Sequence, residues 1–286
     1  MSVKTFILTT QCDDRPGISA GLTGAIFRSG GNILDAQQFN DALKSRFFSR
    51  THFNIEAADE ARLRETLSPV FSEFNMTWRL RDELWRPKTI LMASKFGHCL
   101  GELLYRWKAQ ELKMDVIAIV SNYPKDVYFD TPGLSDVPYY HFPITPDTKS
   151  RQEAQIWDVV QTTRADLIVL ARYMQILSND LAAKLSGRCI NIHHSFLPSF
   201  KGASPYSQAH ARGVKLIGAT AHYVTADLDE GPIIEQGVQR ITHRDTPDDL
   251  TRKGREVERM VLARAVRYHV EDRVLLDGQR TIVFPD

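Results

Sequence analysis

The stretch CINIHHSFLP, Cys189 to Pro198, begins as alternating apolar residues and ends in polar ones. It reads as a strand over Arg188 to His193 that Leu197-Pro198 turns away. Asn191 and His193 are two residues apart and fall on one side of that strand. An amide donor beside an imidazole suits a carbonyl that becomes an oxyanion. The same pattern also describes a strand end whose polar residues bond to a loop. Upstream, Thr89 to Ala93, Val116 to Val120 and Leu167 to Leu170 are short apolar runs, separated by helices over Leu100 to Trp107 and Arg151 to Arg164. Met174 to Lys184 also reads as helical. Downstream lie a small-residue strand, Gly218 to Val224, carrying His222, an acidic turn, Asp227 to Pro232, and a strand, Ile233 to Val238. A helix over Asp248 to Val270 and the run Thr281 to Phe284 follow. This alternation predicts an α/β, Rossmann-like, mostly parallel sheet, with ligands beyond the carboxyl ends of its strands.

The amino-terminal segment has a different order. Lys4 to Cys12, Ile33 to Phe39, Phe47 to Ile55 and Met76 to Leu80 read as strands, and Asp59 to Phe74 and the stretch after Asp13-Asp14-Arg15-Pro16-Gly17 as helices. A capping Asp and Pro16 in the first turn would start the first helix, and Gly30-Gly31-Asn32 would stop it. The order βαββαβ in about 80 residues is ferredoxin-like. Arg81 to Lys88, charged and containing Pro87, reads as a linker, dividing the chain into 1–84 and 85–286.

The length of 286 residues accords with two domains, and 43% hydrophobic with 25% charged residues is a globular composition. Lys and Arg total 36 against 35 Asp and Glu, a net charge of +1, so no global field draws nucleic acid or an anionic membrane. Three scattered cysteines give no disulfide framework, and the start has no signal-peptide pattern; a cytoplasmic location is expected. No metal is expected: zinc needs three ligands around an open position, and adjacent strand residues such as His193 and His194 point to opposite faces. Ser195 has no nucleophile elbow around it.

Two resemblances add to this reading. The strand, DRPG and helix opening resembles the ACT domain, which implies a regulatory module, a possible amino-acid effector near Asp14, Arg15 and Gly17, and pairing into a homodimer or homotetramer. NIHHSFLPSFKGASPYSQA and GATAHYVTADLDEGPII resemble, in order and spacing, the two signature blocks of the folate-dependent formyltransferases. The resemblance implies Asn191, His193 and Asp229 as catalytic residues, with His194 and His222 supporting them. It places the folate on Met174, Gln175, Ile176, Leu177 and Asp227. The first-strand loop ASKFGHCLG lacks a phosphate-cradling glycine run, and HHS stands where the family usually has Pro after the catalytic His. Both departures look like the deformylase branch, which has an ACT domain. That implies hydrolysis of 10-formyltetrahydrofolate to tetrahydrofolate and formate, with folate as substrate and no bound cofactor. On this reading Asn191 and protonated His193 bond the oxyanion, while Asp229 holds His193 or the water and assists proton passage to the folate nitrogen. Glycinamide ribonucleotide formyltransferase and a non-catalytic folate sensor are the alternatives.

Overall fold

The computed structural model describes residues 3–56, 60–128, 131–197 and 205–286, so Asp59 and Pro198 lie outside the described residues. The chain divides into two compact units, Met1–Trp85 with Asp272–Leu275 and Ile282–Asp286, and Arg86–Glu271 with Leu276–Thr281. Parts of the C-terminal segment thus group with the first unit, whereas the sequence division gave the whole of 85–286 to the second.

The first unit contains β1 (Val3–Asp13), α1 (Ile18–Arg28), β2 (Gly31–Asp41), β3 (Arg46–Glu56), α2 (Glu60–Glu73) and β4 (Thr77–Asp82). Its sheet has the order β2-β3-β1-β4, antiparallel throughout. Strand alternation puts Phe6, Leu8 and Cys12 on the face that meets Ile18, Leu22 and Ile26 of α1 and Leu63, Leu67 and Phe71 of α2. Full burial of each large side chain contributes about 1.5–3 kcal/mol. The expected start of α1 needs correction: Gly17 is the N-cap, with φ +96°, and no side chain caps the helix. The linker is also shorter than expected. Arg81 is buried in β4 and pairs with Asp272.

In the second unit come β5 (Lys88–Ala93), α3 (His98–Lys108), β6 (Asp115–Ser121), β7 (Tyr139–His141), α4 (Lys149–Thr163), β8 (Leu167–Leu170), α5 (Asn179–Lys184) and β9 (Cys189–His193). Then follow α6 (Pro205–Arg212), β10 (Leu216–Tyr223), β11 (Ile233–Arg240) and α7 (Pro247–Val270). The strands β12 (Val274–Asp277) and β13 (Arg280–Val283) form a two-stranded sheet; the sequence reading found only the second. The large sheet runs β11-β10-β9-β8-β5-β6-β7. It is parallel from β9 to β7, and β10 and β11 are antiparallel to their neighbours. Ile90, Met92, Ile168 and Val169 are fully buried, as expected of parallel strands covered on both faces. The chain proceeds from β5 to β6 and β7 on one side and later to β8 and β9 on the other. The switch point therefore lies at the carboxyl ends of β5 and β8.

Among the described residues, no helix is long and apolar enough to cross a membrane.

Candidate active site

Antiparallel pairing of β9 and β10 builds the centre of the site. Asn191 lies opposite His222, and His193 opposite Thr220. Cross-strand partners share a face of the sheet, so two separate sequence blocks present their polar residues together. Asn191 Nδ2 is 3.2 Å from His222 Nε2. His222 Nδ1 lies 2.9 Å from the Tyr223 carbonyl, to which it donates, leaving Nε2 toward Asn191 and the acidic turn.

The acidic turn brings the carboxylate. Asp229 Oδ2 is 3.2 Å from His193 Nδ1, and Oδ1 is 3.6 Å from His222 Nε2. Asp229 adopts φ +57°, a left-handed conformation uncommon outside glycine and of a kind that collects at functional sites. Gly231 lets the turn press against β10: a Cβ there would lie 1.8 Å from the Tyr223 carbonyl oxygen. Burial pushes the Asp229 carboxyl up, but the His193 and His222 rings outweigh it and hold the group well below the usual carboxylate range. Asp229 is thus a fixed anion that keeps a hydrogen on His193 Nδ1. His193 Nε2 is buried and has no hydrogen-bond partner among the described residues, which leaves it for a ligand.

Contrary to the expectation that the two histidines diverge, the His193 and His194 rings stack, with centroids 5.1 Å apart. His193 is the last residue of β9, and beyond it strand alternation no longer applies. Burial, then the charges of Arg172 and His193, push His194 down to about 4, so its ring is neutral at physiological pH. Thr220 Oγ1 fixes the loop that follows. It donates to the Ser195 carbonyl at 3.0 Å and accepts from Leu197 N at 3.1 Å and Gln236 Nε2 at 3.0 Å.

Met174 to Ser178 is a loop rather than the start of a helix; only Asn179–Lys184 is helical. Side chains take up its backbone groups: Met174 N donates to Ser94 Oγ at 2.9 Å and Ser178 N to Glu153 Oε1 at 2.7 Å. Ser178 then caps α5 by accepting from Leu181 N. Met174 and Ile176 are exposed, and Gln175 and Leu177 half-buried. Asp227 is exposed on the acidic turn.

Beside this centre stands a buried polar cluster that the sequence reading did not find. Glu258 of α7 is 1% exposed, with His98 Nε2 2.7 Å from its Oε2 and Tyr206 Oη donating to its Oε1 at 2.6 Å. Arg172 Nε is 3.3 Å from Oε2. Burial raises the Glu258 carboxyl, but the His98 contact, the Arg172 charge and the Tyr206 bond bring it below its ordinary value. Gly254 makes room for Tyr206, whose hydroxyl would lie 2.1 Å from a Cβ at that position. The available signal was an acid on the apolar face of α7, one helical turn from Leu262 and from Gly254. Ligand atoms of His98, Cys99 and Glu258 all lie within 4.8 Å of one another. Burial pushes the Cys99 thiol well up, so it stays protonated, and Glu258 already accepts from Tyr206 and faces Arg172. This donor set fits a hydrogen-bonded cluster better than a metal site.

The formyl transferase family model matches residues 87–266, the second unit almost entire. A formyltetrahydrofolate deformylase of a Corynebacterium species is 45% identical over 282 residues, covering 97% of each chain. The chain belongs to the formyltetrahydrofolate deformylase family. Among solved structures, the deformylase of Burkholderia mallei is 50% identical with a TM-score of 0.92, and 99% of this chain covers 100% of that one. A glycinamide ribonucleotide transformylase of Symbiobacterium toebii is 28% identical with a TM-score of 0.65, covering 70% of this chain and 95% of that one. The deformylase family thus accounts for both units of this chain, whereas the transformylase likeness stops at 70% of its length.

Proposed function

We propose that this chain hydrolyses 10-formyltetrahydrofolate to tetrahydrofolate and formate with Asn191, His193 and Asp229 as its catalytic residues. The observation that carries the assignment of roles is the unpartnered, buried His193 Nε2, held in place through Nδ1 by Asp229. Asn191 Nδ2 and the Nε2 of protonated His193 donate to the formyl oxygen as it becomes tetrahedral, with Asp229 holding the ring through Nδ1. Water forms the new C–O bond, the C–N bond breaks, and one water proton ends on the folate nitrogen. Asp229, held as a carboxylate by the two imidazoles, orients His193 and assists the passage of that proton. Neutral His194, stacked beside His193, receives it and passes it on, while His222 fixes Asn191 and Asp229. Met174, Gln175, Ile176, Leu177 and Asp227 receive the folate.

No step needs a metal, so treatment with a chelator should leave turnover unchanged. The first unit acts as the ACT-type regulatory module of a homodimer or homotetramer with an amino-acid effector. The enzyme works in the cytoplasm, where its three free, buried cysteines remain reduced, and supplies formate for purine synthesis. The test is formate release by the purified chain. Release without a ribonucleotide acceptor is expected. Formyl transfer to glycinamide ribonucleotide in place of formate would overturn the reading, and folate binding without turnover would make the protein a sensor.

A further inference from the structure

The reaction as described leaves the Arg172 guanidinium without a direct task. Its residue is 9% exposed, and Nε and Nη1 are buried with no hydrogen-bond acceptor among the described residues. Glu258 supplies charge at 3.3 Å, but its oxygens already face His98 and Tyr206. Leaving a buried donor unpaired is destabilising, and more so for a charged group. Arg172 also adopts φ +65°, a second cost at the same residue.

Its position gives these costs a purpose. Leu170, the last residue of β8, pairs with Asn191 of β9, so Arg172 lies in the loop beyond the carboxyl end of β8, at the end of β9 that carries His193. Its charge also acts on His194. Hydrolysis at this place converts a neutral formyl amide into an anion. The amide offers Arg172 one uncharged oxygen, whereas formate offers two that share a full charge, which is the match a guanidinium fork makes best. Transfer to an amine would instead leave a neutral amide.

We propose that Arg172 is the receptor for the one-carbon carboxylate formed at this site. The inference rests on the hydrolytic reading and adds to it a residue that binds the product side of the reaction more strongly than the substrate.

The test is calorimetric titration of sodium formate into the full chain saturated with tetrahydrofolate, with sodium chloride at equal ionic strength as control. Formate release is assayed on the same preparation. The wild-type chain should bind formate and not chloride. Arg172→Gly, which suits the left-handed backbone and is compared only with its fold verified by circular dichroism, should weaken formate binding by at least about tenfold, the effect of losing one charged hydrogen bond. Arg172→Lys should fall between the two. Equal formate affinity in wild type and Arg172→Gly would overturn the receptor, as would a wild type that hydrolyses its substrate yet binds no formate. Formate binding that depends on Arg172 in a chain without hydrolytic activity would uphold the receptor and defeat the hydrolytic reading instead.

Discussion

Two turns of this chain look alike in sequence, DDRPG at 13–17 and DLDEGP at 227–232, and the structure uses them in opposite ways. In the first, each charge meets a local partner. Asp13 pairs with Arg46 at 2.9 Å, Asp14 accepts from Asn40 at 2.8 Å, and Arg15 lies over the Phe74 ring at 4.5 Å and donates to the Glu73 carbonyl. In the second, Asp229 turns inward with a left-handed backbone and meets two imidazoles. Turn composition is the same in kind; what separates the two is the strand residues each turn faces.

The largest test of this contrast removes one carboxylate from each turn. Asp229→Ala and, independently, Asn191→Ala should each lower kcat by about 10²–10³, the usual loss for one oxyanion-stabilising group. Asp14→Ala should leave kcat within a factor of about two, since exposed hydrogen bonds and ion pairs contribute little. Near wild-type formate release by Asp229→Ala would erase the distinction. Next comes Gly231→Ala, whose Cβ would collide with the Tyr223 carbonyl. It should lower both Tm and kcat, whereas Gly30→Ala, which meets nothing within 4 Å, should lower Tm only through its φ of +78° and leave kcat alone.

A subtler test follows from His194. Its folded pKa of about 4 lies below the ordinary 6.5, so between those values the unfolded chain binds more protons. Stability therefore rises with pH in that window and falls as pH drops through it. His194→Gln should flatten the slope, and nitrogen-15 histidine NMR should show the His194 ring neutral from about pH 5 to 8. Titration of that ring near its ordinary value would break the assignment of a neutral proton acceptor. The smallest effect belongs to the first turn: calorimetry with a panel of amino acids should find one that binds weakly and alters turnover modestly. No binding together with unchanged kinetics would end the effector proposal.

Much of the architecture was legible because it is local. The apolar run Leu167–Leu170 and the alternation before His193 declare strands through their own periodicity. Asn191, His193, His222 and Asp229 were legible through motif resemblance, and the β9–β10 register explains why the two blocks meet. Arg172 and Glu258 were not singled out, because their pairing joins positions 86 residues apart and appears only when α7 packs on the unit. The helical reading of Met174–Ser178, a stretch that the resemblance had already marked as folate-receiving, failed for a related reason. Its apolar residues suit a helix, but Ser94 and Glu153 capture its backbone N–H groups from elsewhere in the chain.

The place of Glu258 also sets an order of assembly. A nascent chain that has reached Arg240 already carries Asn191, His193, His222 and Asp229, yet it lacks the helix whose carboxylate neutralises Arg172 and faces His98. Until α7 leaves the ribosome, a buried cation beside the reacting groups has no counter-ion, and the pocket has no reason to close around it. A ribosome-stalled intermediate that ends at Arg240 should therefore hold its reactive centre open.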